Sequence, residues 1–408
     1  MKKIIILLLF IASYKMTMAQ NVGIGTTTPV ARLHVIDSSV LFSANGGVAA
    51  TPGNPPIQGA GRRMMWYADK AAFRAGYTSG NNWDKVNIGN YSVATGINTT
   101  AGGDYSTAMG ANTTASGVVS TAMGNGTTAI GNVSTAMGEA TTASGQNSTT
   151  MGSGTIASGN YSTAMGVNTT ASGISSTAMG NNTTASGNVS TTMGQATTAS
   201  GQNSTAMGEN TTASGSNSTA MGNYVSTNNQ NGSLVIGDNS TTTVMNSANA
   251  NNFRARFAGG YKLFTSANLS TGCTLFAGDN AWTTGSDVRT KENFAEVNGE
   301  DFLKKISSFH LTSWNYKTQN PKTFRHYGPM AQDFYAAFGK DNYGTIGNDT
   351  TINSADFAGV SFIAIQALEK RSSIQHQNIT DLKNESAELK AMILLLRKEM
   401  NELKKQKE

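Results

Sequence analysis

Polar and apolar positions along the chain follow distinct rhythms, and the longest is built on glycine. From residue 89 to 222 glycine returns at every seventh position without a miss, 20 glycines in all. Within that frame Ser-Thr-Ala-Met-Gly alternates with Thr-Thr-Ala-Ser-Gly, a 14-residue unit whose halves are marked by Met109 to Met221 and by Ala115 to Ala213. Thr-rich runs of four or five residues ending in glycine favour a strand and then a turn. Two such runs per unit predict a flattened coil with two walls, stacked so that each coil buries its faces against its neighbours. Nearly ten coils at ~4.8 Å per strand spacing give a stack roughly 45 Å tall.

Side-chain alternation then assigns the faces. In Ser-Thr-Ala-Met-Gly the Ser, Ala and Gly point one way, and Thr and Met the other. Small residues on both strands suit a narrow gap between the walls, so the Met column is expected on one outer face and a Thr/Ser column on the other. The opposite parity, with Met inside, stays open. Nine methionines in water would form an apolar stripe of the kind that marks an interface, here with identical copies. A flexible linker would gain nothing from such phasing. Sequons such as Asn112-Thr113-Thr114 follow from the repeat's composition.

Elsewhere the patterns are shorter. Lys2-Lys3 before the apolar run Ile4 to Ala12 has the layout of an export signal, with Thr17-Met18-Ala19 as the cleavage region. Asn21 to Val35 reads as a short strand segment; its Gly23-Ile24-Gly25 lacks the rest of a dinucleotide fingerprint. Pro52, Pro55 and Pro56 mark a loop, and the aromatic-rich stretch Met64 to Trp83 is expected to cap the first coil. Phe253, Ala255 and Phe257 alternate with arginines before Gly259-Gly260 and Tyr261 to Phe264, a hairpin signal. From Ile365 the apolar beat becomes 3-4: Ile365, Leu368, Ile379, Leu382, Leu389, Ile393, Leu396, Met400 and Leu403 fall on heptad a and d positions and predict a coiled coil. Ile at a with Leu at d leans toward two strands.

Charge narrows the partners. The chain has 29 basic and 24 acidic residues. Three of the lysines lie in the leader, and residues 89–222 contain no Lys or Arg. No positive face exists there to grip phosphates, so nucleic acid is not an expected partner. No apolar run approaches the ~20 residues of a membrane span. The single Cys273 cannot form an internal disulfide and is read as a small buried residue. His310, His326 and His376 lack metal-ligand spacing, and neither a metal nor a cofactor is expected.

The 14-residue units resemble the heads of YadA-like trimeric autotransporter adhesins, which implies a left-handed parallel β-roll and a homotrimer. The adhesins' C-terminal membrane barrel has no counterpart here. The segment Ser286-Asp287-Val288-Arg289-Thr290-Lys291-Glu292-Asn293 is similar to the opening motif of the intramolecular chaperone domain of phage endosialidase tailspikes. Gly328-Pro329-Met330-Ala331-Gln332-Asp333, the stretch Asp356 to Leu368 and the heptad tail extend the likeness. Thr290 and Phe294 depart from the aliphatic residues usual there.

That second resemblance implies a domain that folds as a trimer and cuts itself just before the motif's serine. Ser286 would attack the carbonyl of Gly285 with Lys291 as its base, while Asp287, Arg289 and Asn293 hold the loop. The chemistry is coherent in its own terms. A serine hydroxyl is a poor nucleophile until a base takes its proton, and a neutral lysine can do so when burial disfavours its charged form. A Ser-Asp pair before a helical turn is also a common cap, so the residues alone leave the inert reading open.

The expectation is therefore a mainly β fold: a trimeric left-handed parallel β-roll, followed by an α+β chaperone domain ending in a coiled-coil helix. Its divisions are a signal peptide at 1–19, an N-terminal β segment and cap at 20–88, the roll at 89–222 and a β-rich connector at 223–285. The chaperone follows at 286–364 and the coiled coil at 365–408. The expected function is an exported or cell-surface adhesin-like fibre, its host-surface or glycan ligand unspecified, that releases its own C-terminal domain. A fibre with an inert trimerisation domain and an ice-binding solenoid are the competing readings.

Overall fold

The computed structural model describes residues 21–406; the expected signal peptide lies outside the described residues. The chain divides into two compact units, Met1–Thr283 and Thr284–Glu408.

The first unit is a parallel β-solenoid. Five-residue strands such as Thr121–Asn125 and Thr135–Glu139 form the long wall, and two-residue strands such as Thr128–Ala129 and Thr142–Ala143 the short wall. Each strand pairs with its equivalent 14 residues on, so Thr121 faces Thr135 and Met123 faces Met137. The walls close over the residues that alternation turns inward. Ala122, Ala136, Ala129 and Ala143 are fully buried, as are Ser120 and Thr127. Ser120 donates to the Gly117 carbonyl at 2.6 Å. The Met column stands outside on the long wall, half-buried by its own stacking, and a Thr column stands outside on the short wall.

The seven-residue glycine beat has a steric cause. A Cβ on Gly124, at φ +125°, would lie 2.0 Å from the carbonyl oxygen of Gly138 in the next coil. A Cβ on Gly117 would lie 2.1 Å from the oxygen of Gly131. Both glycine columns therefore let backbone stack on backbone. Between them the chain turns through left-handed corners, and corner amides stay on the ladder: Val119 N donates to Asp104 O and Asn112 N to Ile97 O, both at 2.8 Å.

Both ends of the solenoid interior are closed. At the start, the antiparallel pair Gly61–Tyr67 and Ala72–Thr78 hands over to Val93–Ile97 in parallel register. Arg74 replaces the inward alanine and is fully buried, donating to the carbonyls of Phe73, Ser92 and Ala101. Burial pulls its guanidinium down to about 10. Trp83, also fully buried, donates from Nε1 to Thr99 O at 2.8 Å. At the far end Arg256 takes the carbonyls of Asn223, Asp238 and Thr243 and pairs with the Asp238 carboxylate at 3.2 Å. The cap expected from Met64 to Trp83 thus lies where the first coil begins.

Two expectations fail. Phe253–Arg256 is not an arm of the hairpin; it pairs in parallel with Leu234–Gly237, which pairs with Thr219–Ser226, so the ladder runs on to Arg256. Val235 takes the inward alanine's place and is fully buried. Longer corners replace the seven-residue spacing there, which hides these coils in the sequence. The hairpin is Gly260–Phe264 with Gly272–Phe276. Cys273, on its second strand, is half-buried rather than buried.

The second unit is small and mainly helical. Helices α1 (Gly299–Ser307), α2 (Ala331–Phe338) and α3 (Ser354–Lys405) accompany a short antiparallel pair, Thr312–Trp314 with His326–Gly328. Asn298 caps α1 by accepting from Glu300 N and Asp301 N. Phe302, Phe309, Phe334, Phe338 and Phe357 cluster where the helices meet. Gly299 lets α1 approach Ala367 of α3, and Glu300 pairs with Arg371. Beyond that contact α3 continues alone; every heptad residue from Ile365 to Leu403 named above is at least half exposed.

Candidate functional site

The loop that opens the second unit brings the expected pair together. Lys291 Nζ lies 2.7 Å from Ser286 Oγ and donates to it. Five residues apart, the two could not meet on an extended chain, and a single 3₁₀ turn, Val288–Thr290, folds them back. Asp287 starts that turn as its cap: its carboxylate accepts from Arg289 N at 2.9 Å. The Asp287 carbonyl accepts from Thr290 N at 3.0 Å and from Thr290 Oγ1 at 2.8 Å. Lys291 N then donates to Val288 O at 3.2 Å.

Arg289 locks the cap. Its guanidinium reaches both oxygens of Asp287 from Nε, at 3.0 Å each, and one from Nη2 at 2.5 Å. These side-chain bonds, followed by the backbone N–H of Arg289, hold the Asp287 carboxyl below its ordinary range, and the same contact raises Arg289. Asn293 leaves the loop in a left-handed conformation, φ 59°, and meets neither Ser286 nor Lys291 through a hydrogen bond. Thr290 was read from the sequence only as a departure; its hydroxyl is part of what closes the turn. Ser286 and Lys291 are both solvent-exposed, and no heavy atom lies within 4 Å of where a Cβ on Gly285 would sit.

The histidines stay apart. His326 stacks on Trp314 with ring centroids 4.7 Å apart and its Nε2 lies 3.1 Å from Gln319 Oε1. Among the described residues no cluster of three His, Cys, Asp or Glu could hold a metal ion. No helix among them is long and apolar enough to cross a membrane.

Against known proteins, a search of curated sequences gave no match. Two family models match. The YadA head domain repeat covers residues 88–113, four overlapping stretches from 129 to 194, and 199–224. The second, Chaperone of endosialidase, covers residues 286–341, beginning at Ser286 and including the turn and α2. The chain therefore joins a run of YadA head repeats to a chaperone-of-endosialidase domain.

Proposed function

We propose that the chain is an exported, adhesin-like homotrimeric fibre whose C-terminal domain templates assembly and then severs itself at Gly285–Ser286. The carrying observation is the 2.7 Å contact between Lys291 Nζ and Ser286 Oγ in a turn pinned by Asp287 and Arg289. The head repeats support a surface or extracellular setting. Trimerisation is supported by the outward Met column on the roll and by the unpartnered heptad seam of α3.

The reaction needs no other reagent than water. The neutral amine of Lys291 takes the hydroxyl proton as Ser286 Oγ bonds to the Gly285 carbonyl carbon. The Gly285–Ser286 C–N bond then breaks, and the lysine returns the proton to the serine nitrogen. Gly285 is left esterified to Ser286 Oγ. Water hydrolyses that ester, leaving a carboxylate on Gly285 and a free amino terminus on a fragment of residues 286–408. Asp287 and Arg289 act as positioning residues.

In the single chain the lysine is exposed, and removing water from an ammonium favours its neutral form. Neighbouring copies closing over the loop would supply that change, so cutting follows assembly. Denaturing electrophoresis and intact mass of the wild type, Ser286→Ala and Lys291→Met test the reading. The wild type is expected to yield two fragments and the variants one full-length chain; uncut wild-type trimers would leave an inert trimerisation domain.

A further inference from the structure

The two corners of each coil differ in kind. Both hold a residue in the left-handed region. The corner that follows the Met strand mostly uses residues that accept this backbone readily, such as Asn98, Asn112, Gly126 and Asn168, at φ 51–65°, with Ala140, Ala196 and Tyr224 as its exceptions. The corner that precedes it holds Tyr91, Tyr105, Val119, Val133, Tyr161 and Val189 at φ 56–60°, each 43–59% exposed. A β-branched side chain is strained there. Asparagine fits the same place without strain and occupies it at positions 147, 203 and 217. The chain thus holds apolar side chains in water against the preference of its own backbone.

This corner column borders the long wall, one Thr column away from the Met column, as Val133-Ser134-Thr135-Ala136-Met137 shows. The wall's other border is mixed: Asn125, Glu139, Gln195 and Glu209 stand there with Ile97, Ala111 and Val167. Each roll therefore displays a Met column beside a corner column that is apolar at six of its ten positions, and a border with charged residues at Glu139 and Glu209 on the other side.

We infer that the two columns are complementary halves of one contact: the Tyr/Val corner of one copy lies along the Met column of the next around a three-fold axis. The inference rests on the trimeric reading and adds which surfaces meet. A closed three-membered ring uses a heterologous contact, in which each chain offers two different patches. Pure rotation carries no shift along the axis, so coils meet at equal height. Both columns hold one position per coil, the corner filled by Tyr or Val at six of ten coils and by Asn147, Ser175, Asn203 and Asn217 at the others. Another copy of this roll therefore stays in step with them, whereas a partner without the coil spacing drifts out of register. The Asn/Glu border remains in solvent.

Crosslinking in the full-length chain tests this, with Cys273→Ala as background. A tagged chain carrying Val133→Cys is co-expressed with an untagged chain carrying Met137→Cys and treated with a short bismaleimide. Tag-purified trimers are expected to give a mixed covalent dimer. Trimers linked only through pairs of Met137→Cys chains overturn the corner contact; a monomer by light scattering removes the trimeric reading along with it. A second variant reads the sign. Asparagine at 119, 133 and 189 relieves the backbone, so an exposed corner leaves the trimer unchanged or tighter, which also overturns the inference. A buried corner raises the trimer's dissociation constant at least about tenfold, with circular dichroism preserved.

Discussion

Gly124→Ala puts the solenoid's stacking rule to a direct test. The added methyl carbon would sit 2.0 Å from the Gly138 oxygen, 2.9 Å from its carbonyl carbon and 3.0 Å from its nitrogen. Ordinary contact begins at 3.4 Å, so the next coil would have to withdraw by about 1.4 Å along that edge. Every clashing atom is backbone, and no rotamer can relieve it. Overpacking of this kind costs about 1–3 kcal/mol. The residue must also hold φ +125°, which adds about 1–3 kcal/mol. A loss near 4 kcal/mol is expected. Because coils interact only with neighbours, the damage falls on the junction between two coils in the middle of the array. Gly126→Ala is the matched control. Its Cβ meets nothing closer than 3.9 Å, and Ala140 and Ala196 already fill the equivalent corner at φ 51° and 52°. It should cost only the left-handed backbone, about 1–2 kcal/mol. Denaturant unfolding followed by circular dichroism compares the two. Equal effects, or Gly124→Ala within about 1 kcal/mol of wild type, would refute backbone stacking as the reason for the glycine beat.

Other expectations follow from buried and charged groups. Thr141 Oγ1 is buried with no hydrogen-bond partner, in a column with Thr127 and Thr155, so Thr141→Val should raise stability by about 1 kcal/mol in the same unfolding assay. Arg74→Ala strips the donors from three carbonyls, and at roughly 1 kcal/mol each the loss should approach 3 kcal/mol, read as a lower unfolding midpoint. Asp238 is held down to about 2, first by the Ala258 N–H and then by the Ser240 hydroxyl. Its depressed value means its contribution is complete above the ordinary carboxylate range and is lost as pH falls toward 2. Asp238→Asn should flatten that acid limb; an unchanged acid titration of stability would count against the contacts of the Asp238 carboxylate with Ala258 N and Ser240 Oγ.

Much of this was legible in the sequence because the repeat encodes packing directly. The parity of Ser-Thr-Ala-Met-Gly places Ala122 inside and Met123 outside, and the structure agrees because within the repeat the walls close over alanine, serine and threonine. The coils from Leu234 to Arg256 were not legible. Leu234–Gly237 still alternates between exposed and buried residues, but Phe253–Arg256 does not, and the insertions between strands erase the spacing by which a coil is recognised. The apolar corner was missed for a different reason. Tyr91, Val119 and Asn147 share no residue type, and their common feature is a backbone angle that the letters do not show. At the candidate site the Ser286–Lys291 pairing was visible through the motif. The way the pair meets was not, because it depends on Asp287 capping a single turn and on a threonine hydroxyl completing it.

Repetition also creates a problem that the rest of the chain is suited to solve. A coil reading Ser-Thr-Ala-Met-Gly stacks on its neighbour with the same contacts wherever it sits, so a slip by one whole unit restores nearly every pairing. Three such rolls laid side by side could settle at any of several heights with little difference in energy. Alignment must then come from features that do not repeat. The ends supply one set, with Arg74 and Trp83 fixing the first coil and Arg256 the last. The corner column supplies another, since its order of Tyr, Tyr, Val, Val, Asn, Tyr changes from coil to coil. On the function proposed above, the domain after Ser286 acts before either, bringing three chain ends to one level before the rolls zip together. Once that domain is cut away, a fibre that melts has lost the group that set its register and cannot find it again on cooling. The persistence of the assembled fibre is then governed by its unfolding rate, and a chain kept whole by Ser286→Ala should regain its trimer after melting where the processed one does not.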